Sequence, residues 1–181
     1  ALAVSVHQGK ALFAEQLYAG QTLARGAVVQ MLTGEGKTLT ALTALYANAL
    51  LGRGVVSQIT TADALGVRDH AENAGVFHLL GLRTAAVTSS HVHQAVASPA
   101  GFRIQQVAAT PQAKAAAYDA DIVYVGVATH AFDFLHDRQQ PHAPAYIHRP
   151  LFFANVDEVD SVLLDQAMSH FIIAGQHGAL S

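Results

Sequence analysis

The 181-residue chain contains no cysteine and no tryptophan, and only 13% of its residues are charged. Without cysteine there can be no disulfide framework, thiolate metal site or thiol nucleophile. No run of the sequence reaches the twenty or so uninterrupted apolar residues that a bilayer crossing requires, so no transmembrane helix is expected. The first residues, Ala1 to His7, have no basic flank leading into an apolar stretch and do not read as a secretory leader. Cytoplasmic placement is therefore the expectation. The formal net charge is only −3. Lysine and arginine do not cluster, which disfavours a general nucleic-acid surface.

What the chain has is a hydrophobic fraction of 51%, rich in alanine, leucine and valine, the profile of a packed α/β domain. β-prone and helix-prone stretches alternate along it. The pattern predicts strands at residues 27–32, 55–60, 84–87, 121–125, 151–156 and 171–174. It predicts helices at residues 37–51, 64–80, 112–118, 129–136 and 159–168. Residues 89–110 show no clear period and read as a surface excursion. Residues 139–150 carry three prolines and two histidines and read as a loop. The run at 151–156 is continuously apolar, which predicts a strand buried on both faces. Alternating β and α units imply a mainly parallel sheet flanked by helices. Ligands of such sheets bind at the carboxyl ends of the strands.

Two motifs carry chemistry. Thr33-Gly34-Glu35-Gly36-Lys37-Thr38 lies between a predicted strand and a predicted helix, the setting of a phosphate loop. Glycines let successive N–H groups turn towards phosphate oxygens, and the helix that follows adds its positive end. Lys37 would reach the β- and γ-phosphates and the Thr38 hydroxyl would ligate magnesium. Met31 stands where the general pattern has its first glycine. The second motif, Asp157-Glu158-Val159-Asp160, closes the apolar run 151–156. Carboxylates at the end of a buried strand are costly unless they serve a cation or a reaction. Asp157 would hold magnesium through water, and Glu158 would orient or deprotonate the attacking water.

With both motifs in place, nearly the whole chain resembles the SecA family, the ATPase motors of bacterial protein secretion. Glu15 to Gly20 is similar to the family's segment ahead of the phosphate loop, and Gln16 takes the position of its adenine-reading glutamine. The glutamate between glycines, Glu35, matches the family's distinctive loop. Thr60 to Asp69, Tyr118 to Tyr124, Phe132 to Asp137, Arg149-Pro150, Val156 to Ser161 and Phe171 to Gly175 complete the resemblance. It implies a RecA-like P-loop core, ATP or ADP with Mg2+ as ligands, and nucleotide contacts at Gln16, Thr33, Gly34, Glu35, Gly36, Lys37 and Thr38. It implies catalytic roles for Lys37, Asp157 and Glu158, and magnesium at Thr38 and Asp157. Arg68 and Asp133 enter by resemblance as residues that touch nucleotide or polypeptide. Preproteins and a SecYEG-type channel are the implied partners, with peripheral association to the inner face of the plasma membrane.

The chain departs from the family pattern at His136, Gln166 and Met168, and in the thinned region around Phe13. These changes imply a divergent or accessory member. Residues 1–181 correspond to a partial first nucleotide-binding domain, with the crosslinking domain and the second nucleotide-binding domain absent. The resemblance further implies a vacant place in the sheet between the phosphate-loop strand and the acidic strand, because the family's strand there follows the crosslinking domain. Either residues 171–174 fill it or the sheet centre is missing. A helicase-like nucleic-acid ATPase fragment and a non-catalytic interaction module are the alternatives. The eleven histidines show no i, i+4 helical pairing beside a carboxylate, so no zinc site is expected.

Overall fold

The structure is a computed structural model and describes residues 1–99, 101–139 and 145–166. Its helices are α1 (Leu2–Gln8), α2 (Ala14–Ala24), α3 (Lys37–Ala49), α4 (Asp63–Leu79), α5 (Pro111–Tyr118) and α6 (Val127–Gln139). Its strands are β1 (Val55–Thr60), β2 (Thr84–Val87), β3 (His91–Ser98), β4 (Gly101–Ala108), β5 (Ile122–Gly126) and β6 (Leu151–Val156). A single wide helical turn, Ser161–Asp165, follows β6.

The six strands form one mixed, mostly parallel sheet in the order β4-β3-β2-β5-β1-β6. Strands β2, β5, β1 and β6 run parallel, and the β3–β4 hairpin extends the sheet antiparallel at one side. Side chains alternate between two cores, as the two-residue period of a strand demands. Val56, Ile122 and Tyr124 face Leu42 and Leu45 of α3 and Phe77 of α4. Val55, Val123 and Val125 face the opposite way, against Ala117 and Tyr118 of α5. This is the helix-flanked α/β architecture expected from the alternation.

Three expectations need correction. Residues 89–110 hold the β3–β4 hairpin, paired in unbroken register from His91↔Ala108 to Ser98↔Gly101. Both strands carry polar and apolar residues on half-exposed faces, so no clean two-residue period shows in the sequence. Residues 27–32 form no sheet pairing, because no described strand lies alongside for them to pair with. Val28 there is 86% exposed. Finally, β6 is not buried on both faces. It is a sheet edge with Leu151 and Ala154 exposed. A groove lined by Ala27, Val28, Val29, Phe153 and Asn155 separates it from residues 26–29. Among the described residues, none pairs with its free side. The strand expected at 171–174 and the end of the helix expected at 159–168 lie outside the described residues.

Candidate nucleotide site

The phosphate-loop segment is shaped by its glycines and by one buried glutamine. Gly34 and Gly36 adopt φ of 87° and 82°, a left-handed conformation that costs other residues energy. Gly36 also leaves no room for a side chain, since a Cβ would collide with the Gln16 amide nitrogen. Gln16 is only 6% exposed. Its Oε1 accepts from the Phe13 N–H at 3.1 Å, and its Nε2 donates to the Glu35 carbonyl at 2.8 Å. The first bond satisfies an otherwise free amide ahead of α2, and the second ties α2 to the loop. Glu35 closes the turn, because its Oε2 accepts from the Leu32 N–H at 2.6 Å.

Lys37 and Thr38 open α3. The first N–H groups of a helix lack intrahelical acceptors and point out of its positive end. Here that end sits at the mouth of the loop, with Lys37 exposed and Thr38 half-buried. The loop therefore presents amides, an ammonium and a hydroxyl towards the same space.

The acidic turn faces it. The Asp157 N–H donates to the Ile59 carbonyl at 3.0 Å, which extends β6 along β1 and fixes the carboxylate at the strand's carboxyl end. Asp157 Oδ1 accepts from the Glu158 N–H at 2.9 Å. Glu158 has φ of 50°, uncommon for a non-glycine residue and a sign of local strain. Met31, Lys37, Asp157, Glu158 and Ser161 line one open cleft. A neighbouring cleft is lined by Phe13, Gln16, Gln30, Gly34, Glu35 and Leu39. Seven of the nine sequence-selected residues line these two clefts: Gln16, Gly34, Glu35 and Gly36 the second, and Lys37, Asp157 and Glu158 the first. Thr38 lines a cavity beneath them with Lys37 and Asp157, and Thr33 lies in the exposed turn of the loop. The first of the two clefts lies at the carboxyl end of β6.

Other selected residues fall elsewhere. Arg68 is largely exposed and pairs with Asp69 at 2.8 Å. Burial raises the Asp69 carboxyl above the ordinary range, against the pull of Arg68 and with a further push from Asp157. Asp133 is 2% exposed and lies between α5 and α6, where it accepts from Lys114 and from the Tyr118 hydroxyl. Burial raises its pKa as well, while Lys114 and Tyr118 lower it. Arg149 donates to the carbonyls of Gly54, Asp119 and Ala120, at the amino ends of β1 and β5, so it braces the far side of the sheet. His136 stacks on Tyr146 at 4.1 Å. Among the described residues, no group of three or more histidine and carboxylate side chains could hold a metal. No helix there is long and apolar enough to cross a membrane.

Sequence reasoning missed a buried polar row beneath the loop, formed by Gln58, Tyr124 and Asn155. Asn155 Nδ2 donates to Gln58 Oε1 at 2.8 Å. The available signal was a polar residue at an inward position of an apolar strand, at Gln58 and again at Asn155.

Comparison with known proteins matches residues 2–180 to the family described as SecA DEAD-like domain. The chain belongs to that family. The SecA-family chain is 37% identical over 161 residues to the protein translocase subunit SecA of Psychrobacter arcticus, covering 89% of this chain and 15% of that protein. It is 39% identical over 164 residues to the corresponding subunit of Burkholderia thailandensis, covering 91% and 16%. For the subunit of Nitrosomonas eutropha the figures are 38% over 163 residues, 90% and 16%. It therefore spans about one-sixth of the length of the curated relatives it matches. Family membership makes the helix-flanked sheet a RecA-like core.

Proposed function

We propose that this chain is the phosphate-binding part of a SecA-type motor domain and takes ATP or ADP with magnesium in the cleft between its glycine loop and its acidic turn. One observation carries the reading: Lys37 and Thr38 at the start of α3 share a cleft system with Asp157 and Glu158 at the end of β6. Amides, ammonium and helix end supply positive potential for phosphates. The Thr38 hydroxyl and the Asp157 carboxylate are hard oxygen donors, the kind magnesium takes. Bound magnesium would neutralise charge that builds on the transferred phosphoryl group. Lys37 would hold the terminal phosphates. Gln16 would meet the base, being already fixed at the loop's edge. Glu158 would orient the attacking water and receive its proton.

By analogy with proteins named translocase subunits, the whole protein of which this domain is a part would couple ATP hydrolysis to moving preproteins through a SecYEG-type channel. It would work at the inner face of the membrane. Nucleic acid is not an expected ligand.

Calorimetric titration of the chain with Mg-ADP and Mg-ATP tests the proposal. Weak but measurable binding is expected, because one lobe supplies only part of the contacts such a nucleotide receives. Lys37→Ala should weaken it by about 10-fold or more, as a charge-assisted contact worth roughly 1.5–3 kcal/mol is removed. No heat and no thermal shift at millimolar nucleotide would refute the reading.

A further inference from the structure

Beneath the phosphate loop lies a partly open cavity of about 70 Å³. Lys37, Thr38 and Asp157 form its upper wall, and the inner face of the sheet forms its floor. Register places Tyr124, Gln58 and Asn155 side by side across β5, β1 and β6. Two residues earlier on the same face, Ile122, Val56 and Phe153 make an apolar row. The floor therefore changes from apolar to polar at the level of the loop.

From α4, Asp69 and Asn73 close the side, 5% and 1% exposed. Asn73 donates to the Asp69 carbonyl and accepts from Gln8. Both guanidinium contacts of Arg68 go to Asp69 Oδ1, leaving Oδ2 without a protein partner among the described residues. The Tyr124 hydroxyl is buried beside the Asn73 side chain and makes no well-formed hydrogen bond. Burying a hydroxyl unsatisfied is costly. A polar space of this size, with several donors and acceptors around it, is where proteins keep internal water.

We infer that this cavity is a built water site, and that Asp69 is a positioning residue for the magnesium–nucleotide complex, acting through that water from below Thr38 and Asp157. Resting on the nucleotide reading, the inference adds a residue and a compartment that neither motif contains. Partners just outside a metal's immediate ligands orient those ligands, and their loss typically lowers metal affinity by about 10–100-fold. Water between Asp69 and the Asp157–Thr38 pair would do the same here. The Tyr124 hydroxyl and the Gln58–Asn155 pair would hold it in place.

Two measurements test this. The first is nucleotide titration of the wild type, Asp69→Asn and Tyr124→Phe, each with magnesium and with EDTA. Magnesium should strengthen wild-type binding, and that gain should shrink by roughly 10-fold in Asp69→Asn and by less in Tyr124→Phe. Affinity in EDTA should stay unchanged. Tyr124→Phe removes only one oxygen, which makes no well-formed protein hydrogen bond, so it keeps the test open if Asp69→Asn fails to fold. Equal losses with and without magnesium would make the role structural and overturn the inference, as would a full magnesium gain in both variants. Wild-type chain that binds no nucleotide in either buffer would instead overturn the underlying nucleotide reading. The second is a high-resolution crystal structure of the wild type. Ordered water bridging Asp69 and Tyr124 is expected, and a dry cavity would overturn the proposal whatever the nucleotide result.

Discussion

At the scale of single residues, Glu158 and His70 lead to opposite kinds of prediction. Glu158 holds a left-handed backbone angle. Such a conformation costs on the order of 1 kcal/mol or more, and glycine would adopt it freely. Glu158→Gly should therefore leave the fold intact or raise its melting temperature slightly while ending hydrolysis. Glu158→Gln should leave nucleotide binding nearly unchanged, since the amide keeps size and polarity but loses basicity. Melting curves and titrations check both. His70 concerns pH. Its ring is fully buried, Nε2 meets the Thr84 hydroxyl at 3.0 Å, and Nδ1 has no partner. Burial pushes its pKa down to about 4. The unfolded chain, near 6.5, then binds the proton more readily than the folded one. Stability is full above about pH 6.5 and falls as the pH drops towards 4, by roughly 3 kcal/mol at most. His70→Gln, which can still bond Thr84, should flatten that acid limb in thermal melts between pH 7 and pH 4.5.

At the scale of elements, the approach of α2 to α3 decides where Gln16 meets the loop. Gly20 makes the approach possible, since a Cβ there would lie 2.7 Å from both the Thr40 carbonyl oxygen and the Thr43 Cβ. Gly20→Ala should cost roughly 1–3 kcal/mol and weaken nucleotide binding by shifting Gln16, measurable by melting and by titration. The elements also show what a sequence discloses. β1, β2 and β6 were legible to the residue because each is a short β-prone run between turn signals, and the start of α3 because a glycine turn precedes it, though the helix ends at Ala49, two residues before the expected Leu51. The β3–β4 hairpin was not, because half-exposed strands that mix polar and apolar residues on each face give little period to read. Residues 27–32 looked like a strand by composition, yet strand formation requires a neighbour, and composition does not report one. The two motifs at the cleft were readable because each is local in sequence. The row of Tyr124, Gln58 and Asn155 was not, since it exists only once three distant strands are in register.

At the scale of the whole molecule, the sheet formed by the described residues ends in a hairpin on one side and in β6 on the other. No described residue pairs with the free side of β6, and a groove runs beside it. β5, by contrast, lies between β1 and β2. Hydrogen exchange should show β5 amides protected close to the limit of global unfolding. The outward N–H groups of β6 should exchange orders of magnitude faster. Slow exchange along β6 would mean that a further strand covers it. Turnover belongs to this scale too. An arginine from a facing lobe typically contributes about 10³–10⁵ in rate, and among the described residues no arginine lines the clefts around Lys37, Asp157 and Glu158. The chain should therefore hydrolyse ATP far more slowly than it binds it, a ratio that a phosphate-release assay beside a titration will measure.

The strand order also sets a sequence of events in time. β2, β3 and β4 follow one another along the chain and pair with their neighbours, so that corner can form from local contacts. The pairing of β1 with β6 joins residues as far apart as Gln58 and Asn155, 97 positions along the chain. Such long closures are slow. During synthesis the glycine loop emerges early and stays without its acidic counterpart until β6 is laid against β1. The two halves of the cleft are thus brought together by the outermost strand of the sheet. A chain arrested before that strand would have a hairpin, two cores and a phosphate loop, but no site.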